Sequence, residues 1–270
     1  MPQKGPITLR SSREIKLMRK AGLIVWEAHQ EAAKVVAPGV NTMEIEEAVA
    51  GVFEKYDAIP LFKGVPGPFP FPAVTCVSVN EEIVHGIPGK RVLQDGDIVS
   101  IDTGCKVKGW CGDAAVTHPV GDVSAEVQQL LEVTKGTLDI AIELLKTKSR
   151  WSEIAVEMAR FVRQAKFSVV EEFVGHGIGR DLHEEPKVPN FDSRQLRESD
   201  IELRPGLVLA IEPMVNMGNK RVRCRKDGWT QVTTDGQPSA HFEHTVAVTE
   251  QGPVALTAAP TPEEAAELAI

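Results

Sequence analysis

Apolar residues recur at helical spacing soon after the start of the chain. Ser11 followed by Glu14 forms a capping-box pattern. Behind it Ile15, Met18, Ile24 (beside Leu23 and Val25), Ala28 and Val35 trace one face of an amphipathic helix. Pro38-Gly39 stops that helix, and Asn41-Thr42 cap a second one that runs to about Tyr56. A Pro/Gly/Phe-rich loop, FKGVPGPFPFP, breaks the helical spacing. After it come strand-like runs: AVTCVSV, DIVSIDTG and the stretch around Asp113.

The same order then returns. A long helix is predicted from about Asp122 to Lys148 and another from Ser152 to about Ala165, again followed by strands. Glu44-Ile45 lies 109 positions before Glu153-Ile154, each just after a helix cap. LQDGDIVSID matches LRPGLVLAIE at an offset of 110, which pairs Gly96 with Gly206, Ile101 with Ile211 and Asp102 with Glu212. Two ordinary glycine turns, each leading into a strand, would produce part of this match by chance. Taken as a true repeat, it predicts one αβ domain with approximate twofold symmetry and a site where the halves join. The expected layout is an N-terminal arm of residues 1–10, halves of roughly 11–118 and 119–255, and a tail of 256–270 that frays or forms a short helix.

Composition narrows the function. A hydrophobic share of 42% and a charged share of 25% are those of an ordinary globular protein. The net charge of −8 offers no large basic field, so no specific nucleic-acid site is expected. There is no apolar run of membrane-spanning length, and the first residues, MPQKGPITLRSSREIK, carry no signal-peptide core. A cytoplasmic protein is expected. Cys76, Cys105, Cys111 and Cys224 are scattered without CxxC spacing and read as reduced thiols rather than a zinc ribbon or disulfide framework.

The chemistry lies in carboxylates placed among apolar residues. Asp102 and Asp113 are eleven apart, with CKVKGW between them as a plausible hairpin loop. A turn centred near Val107-Lys108 would make the two aspartates cross-strand partners on one face. Two facing carboxylates in a sheet repel unless a cation sits between them. Either aspartate alone would read as well as a turn or edge residue. Glu212 ends the apolar run VLAIEPMV, and Glu243 opens another in AHFEHTVAV; each alone could be an outward edge residue. His176 follows Val169, Val170, Phe173 and Val174 and is flanked by Gly175, Gly177 and Gly179, which permit close backbone approach to a ligand. A GxGxxG-type phosphate loop fails here, because no helix or distal acidic partner follows in the required order. Asp102, Asp113, His176, Glu212 and Glu243 together read as a cage for two divalent ions, the arrangement that activates water in metallohydrolases. His183 lies seven residues beyond His176, too far for a helical zinc pair, and reads as a hydrogen-bond donor beside the site. His244 should face away from Glu243 by strand alternation. His85, in SVNEEIVHGIP, taken alone would be a surface histidine.

CVSVNEEIVHGIP, DGDIVSIDTG with GWCGD, GHGIGRDLHEEP, AIEPMVN, DGWT and FEHTVAVT, in this order and spacing, resemble the type I methionine aminopeptidases of the bacterial kind, from the first helix to about Ala255. The resemblance implies a pita-bread fold of the α+β class: two pseudo-symmetric αβ halves around a central curved antiparallel sheet. It implies removal of the N-terminal methionine from nascent polypeptides whose second residue is small. Two divalent ions are implied, of cobalt, manganese, iron, nickel or zinc. Asp102 and Asp113 would hold one of them, Asp113 and Glu243 would bridge to the second, and His176 and Glu212 would complete its shell. Glu212 would also shuttle the proton of the attacking water. His85 would contact the leaving amide, His183 would stabilise the oxyanion, and Cys76, Phe71 and Trp229 would line the methionine pocket. As partners the resemblance implies nascent N-termini and the ribosome near its exit tunnel, with the chain acting as a monomer away from membranes.

Some residues depart from the family pattern. The loop PGPFPFPAVTC places Pro68 and Phe71 where tyrosines are frequent, Cys111 stands for a usual histidine, Leu182 for an aromatic, and His241-Phe242 precede Glu243. These departures bear on the shape of the methionine pocket, since no candidate ligand is lost. Two other readings differ in testable ways. A prolidase or Xaa-Pro aminopeptidase would carry a long N-terminal domain, whereas about ten residues precede the first helix here. A binding module that had lost catalysis would show damaged ligands.

Overall fold

The computed structural model describes residues 6–268. Residues 1–5 of the expected arm, and 269–270 of the tail, lie outside the described residues. Helix α1 spans Ser12–Val35 and opens on the expected capping box: Ser11 Oγ accepts from the Glu14 amide, and the Glu14 carboxylate accepts from the Ser11 amide at 2.8 Å. Helix α2, Thr42–Lys55, is capped in the same way by Asn41 and Glu44. In the second half α3 spans Ala125–Leu144 and α4 Trp151–Gln164. Helix α3 starts later than the apolar spacing suggests. Gly121 turns the chain at φ 63°, and Ser124 supplies the N-cap oxygen to the Val127 amide.

Both helix pairs cover one side of a curled antiparallel sheet. Its order runs Ile59–Pro60, Ile98–Val107, Trp110–Pro119, Glu243–Thr249, Val208–Ile211, Gly175–Gly177 and Glu184–Val188. Thr75–Val79 adds beside Ile98–Val107, and Gly252–Ala255 beside Glu243–Thr249. Strand alternation decides which side chains meet the helices. Val99, Ile101 and Cys105 pack under α1 and α2 with Ala21, Ile24, Ile45 and Val49. Ser100, Asp102 and Gly104 therefore face the opposite, concave side. In the second half Leu209 and Ile211 pack under α3 and α4 with Leu138, Ile154 and Met158, which sends Ala210 and Glu212 to that same side. The two halves meet in the middle of the sheet through only two ladder pairs, Glu243 with Ala115 and His244 with Ala114.

The hairpin between the aspartates turns one residue later than expected. Val107 pairs with Trp110, leaving Lys108 and Gly109 at the turn with φ of 50° and 80°. A two-residue turn of this kind needs positive φ at both central positions. A centre at Val107-Lys108 would have forced β-branched Val107 into that region. Asp102 consequently lies opposite Ala115 and Asp113 opposite Gly104. The aspartates are diagonal rather than direct partners, and they keep a common face because the shift is by two.

The last segment is fastened to α1. The Arg19 guanidinium donates to the carbonyls of Leu256 (2.7 Å), Ala258 (2.8 Å) and Ala259 (2.9 Å) and pairs with Glu264 in the closing helix Pro262–Leu268. No helix among the described residues is long and apolar enough to cross a membrane.

Candidate metal centre

The concave side of the sheet holds a cavity of about 100 Å³ where the halves join. Asp102, Asp113, His176, Glu212 and Glu243 line it, with His85, His183, Cys76, Phe71 and Trp229. The register explains this convergence. Ala115 is flanked by Asp102 on one neighbouring strand and Glu243 on the other, with Asp113 two residues away on the same face. Ligand atoms of Asp113, His176 and Glu243 lie within 4.8 Å of one another. Asp102 and Glu212 border that group without belonging to it at this spacing; Glu212 Oε1 stands 3.5 Å from His176 Nε2.

Each group is held by its backbone surroundings. Thr245 Oγ1 accepts from the Asp113 amide at 3.0 Å and donates to the Asp113 carbonyl at 2.8 Å, locking the central strands where their ladder is short. Gly104 makes room for the Asp113 carboxylate, since a Cβ there would lie 2.8 Å from Asp113 Oδ1. His176 Nδ1 lies 2.9 Å from the Gly177 carbonyl, which can only accept. Nδ1 therefore carries the proton, and Nε2 presents its lone pair. Asn190 Nδ2 donates to the Glu212 carbonyl at 3.1 Å.

The electrostatics are those of crowded, buried acids. Burial pushes the Asp113 carboxyl up to about 7. Burial, and then repulsion from neighbouring carboxylates, hold Asp102, Glu212 and Glu243 well above the usual carboxylate range. Burial, and then His183, lower His176 to about 4, so its ring is neutral as a ligand must be. Buried oxygens of Asp102 (Oδ1), Asp113 (Oδ1) and Glu243 (Oε1) have no hydrogen-bond partner. Unpaired buried carboxylate oxygens are costly, and a divalent cation removes that cost. Four carboxylates and one neutral imidazole fit such an ion.

The rest of the cavity is histidine and apolar surface. The His183 ring lies 4.4 Å from that of His176, and burial lowers its pKa. His85, a surface histidine if judged alone, is instead brought to the cavity with φ 60°. It packs 5.5 Å from the Phe173 ring, and burial and then His183 lower it to about 4. Phe71 meets Trp229 edge-on at 5.2 Å, and Trp229 Nε1 donates to the Phe69 carbonyl at 3.1 Å. Burial and the nearby acids keep the Cys76 thiol protonated. Its strand is held by Glu46, which accepts from the amides of Val74 (2.8 Å) and Thr75 (3.0 Å).

Four contributors were missed or left without a role in the sequence. Phe62 and Val65 join the apolar end of the cavity. They sit in the same Pro/Gly/Phe loop as Phe71, and that was the available signal. His241 Nε2 lies 3.9 Å from Glu212 Oε2, and its position two residues before Glu243 could have suggested a common face. Leu182 also lines the cavity. Cys111 and His244 do not: Cys111 Sγ points to the Arg180 carbonyl at 3.5 Å, and His244 Nδ1 lies 2.8 Å from Thr257 Oγ1. A larger groove of about 450 Å³, over Val174, Pro186 and Phe191, includes none of the clustered ligand candidates and lies apart from this chemistry.

Comparison with known proteins decides the family. Residues 16–250 match metallopeptidase family M24. The chain belongs to that family. It is 48% identical over 246 residues to methionine aminopeptidase 1 of Bacillus subtilis, covering 91% of this chain and 97% of that one. The crystal structure of methionine aminopeptidase from Thermotoga maritima superposes with a TM-score of 0.88 at 42% identity, over 93% of this chain and 99% of that one. The prolidase from Pyrococcus furiosus, 19% identical with a TM-score of 0.70, shares the fold over 94% of this chain and 66% of its own. The curled sheet with paired helices is thus the pita-bread fold, and the chain is a metallopeptidase-family member in which three candidate ligands are already clustered.

Proposed function

We propose that this chain removes N-terminal methionine from polypeptides by metal-dependent hydrolysis. The observation that carries the proposal is the composition of one cavity: five metal-ligand candidates, an apolar cluster of Phe62, Phe71, Cys76 and Trp229, and two histidines, His85 and His183, share its lining. The B. subtilis and T. maritima relatives, both named methionine aminopeptidases, support it.

Asp102, Asp113, His176, Glu212 and Glu243 would hold two divalent ions, of cobalt, manganese, iron, nickel or zinc. When bound, such ions supply an acidified water and Lewis acidity toward the scissile carbonyl. The methionine side chain enters the apolar end, where the neutral Cys76 thiol adds no charge. Glu212, held by Asn190 at its carbonyl, takes the proton of the attacking water and passes it to the departing amine. His183 donates to the carbonyl oxygen as charge builds there, and His85 contacts the departing amide. For the second residue the resemblance implies a small side chain.

The single catalytic unit spans residues 11–255, its halves dividing near residue 118. The reading includes a cytoplasmic monomer acting on nascent chains. Just before Trp229 along the chain, exposed Arg221, Arg223 and Lys226 form a basic strip on a protein of net charge −8, next to Lys220, which pairs with Glu171. That strip suits the polyanionic ribosome surface near the exit tunnel, and salt-sensitive co-sedimentation with ribosomes tests it. The activity itself is tested on metal-free protein reconstituted separately with each ion and offered Met-Ala-Ser, Met-Lys-Ser and Ala-Pro. Release of methionine from the first peptide alone supports the proposal. Cleavage of Ala-Pro without methionine release refutes it, and equal cleavage of both methionine peptides refutes the small-residue rule.

A further inference from the structure

Arg10 lies in the stretch expected to be a free arm, yet its side chain is only 8% exposed. Its amide donates to the Gly206 carbonyl at 2.6 Å, and its guanidinium pairs with Glu184. Glu184 has two tasks. Its Oε1 accepts from the amides of Arg180 (2.8 Å) and Asp181 (3.3 Å), closing the loop that carries His183. Its Oε2 accepts from Arg10, 174 residues away in sequence. The loop is gripped from three further directions. The Cys111 amide donates to the Gly179 carbonyl at 2.9 Å, Lys106 lies 3.6 Å from Asp181, and the Arg180 guanidinium stacks on Trp110 at 3.9 Å. Arg10 stands over the same Trp110 ring at 5.3 Å. Gly179 has no Cβ to spare: one would lie 2.2 Å from Arg10 Nη2. The loop sequence therefore leaves a slot that the Arg10 guanidinium fills.

We propose that Arg10 is a positioning residue for His183, acting through Glu184. The inference rests on the proposed function, because it uses the role given there to His183. A bidentate-capable guanidinium on a carboxylate that also ties two loop amides fixes the loop in a way a point charge does not. Displacing a catalytic donor by about 1 Å can lower turnover by up to roughly 100-fold with ligands untouched.

The test measures kcat, KM and bound metal on Met-Ala-Ser for Arg10→Ala, Arg10→Lys, Glu184→Gln, the Arg10→Ala/Glu184→Gln double variant and His183→Ala. Arg10→Ala is expected to lower kcat about 10- to 100-fold with KM within about threefold and metal content unchanged. Arg10→Lys recovers part of that loss, and the double variant is no worse than the more damaged single one, because both act through one contact. A purely structural tether would lower the melting temperature and leave kcat intact, which overturns the proposal. So would additive losses in the double variant, or loss of metal from Arg10→Ala. If His183→Ala itself leaves kcat unchanged, the failure belongs to the role of His183 in the proposed function and not to Arg10 alone.

Discussion

Gly104→Ala is the sharpest probe of the metal cage, because it adds one methyl group and removes no ligand. The new Cβ would stand 2.8 Å from Asp113 Oδ1 and 3.1 Å from the Gly112 carbonyl. Non-bonded carbon and oxygen settle near 3.4 Å, so the carboxylate must retreat by about 0.6 Å. The φ of Gly104 suits alanine, since it sits in a regular ten-residue strand and is not among the positive-φ glycines. In the metal-free protein the roughly 0.4–1 kcal/mol gained by restricting the unfolded chain is offset by the close Gly112 carbonyl, so the change should be near neutral. Metal sites tolerate ligand displacements of only about 0.2 Å. Affinity should therefore fall about 10- to 100-fold, which is about 1.4–2.7 kcal/mol. Calorimetric titration with Mn²⁺, alongside melting curves with and without the ion, separates the two effects. A variant that binds Mn²⁺ as tightly as the parent would show that Asp113 is not a ligand. A variant destabilised without metal would show that Gly104 serves the strand and not the carboxylate.

The remaining expectations follow from the same geometry. Asp102→Asn and His176→Ala should each lower methionine release by several orders of magnitude while circular dichroism stays that of the parent, and substantial release at saturating metal would sink the ligand set. His183→Ala should lower kcat roughly 100-fold with a smaller change in KM and metal content near parent, as metal analysis checks. Burial raises Asp113 to about 7, so below that pH the ion must displace its proton. Apparent affinity should then fall as pH drops from 8 to 6, by up to about tenfold per unit for one proton, and calorimetry in two buffers of different ionisation heat counts the proton released. Burial lowers His29 to about 4, and the ring must charge on unfolding; its stabilising effect is therefore complete above pH 6.5 and is lost as pH falls toward 4. An acid melt of His29→Gln should be flatter across that window.

Local chemistry was legible in the chain and long-range pairing was not. Ser11-Glu14 and Asn41-Glu44 announce two helix starts because a capping box is complete within four residues. The internal repeat places Asp102 and Glu212 at equivalent points of the two halves, and both do reach the concave side. The hairpin turn lies one residue later than the spacing suggested, which moves the register by two. Its centre is fixed by which residue tolerates positive φ, and Lys108 is a less obvious choice than glycine or asparagine. His85 judged alone looked like a surface residue, and Arg10 was placed in an N-terminal arm, because their burial depends on Phe173, Trp229, Glu184 and Gly206, all far along the chain. Resemblance supplied what the residues alone did not, placing His85 beside the cage with His183.

The seam between Trp110–Pro119 and Glu243–Thr249 has a consequence for the life of the chain during synthesis. Asp102 and Asp113 emerge early, whereas Glu243 emerges among the last strands, and the seam joins them by two ladder pairs and the hydroxyls of Thr117 and Thr245. A ribosome-bound chain that has not yet released Glu243 cannot close the cage, however well its first half has folded. An unfinished copy would lack one of the five candidate ligands, so on the proposed function hydrolysis would wait on the closing of this seam. Splitting the gene in the turn near Gly121 and expressing the two pieces apart should yield two inert fragments, with metal uptake appearing only on mixing.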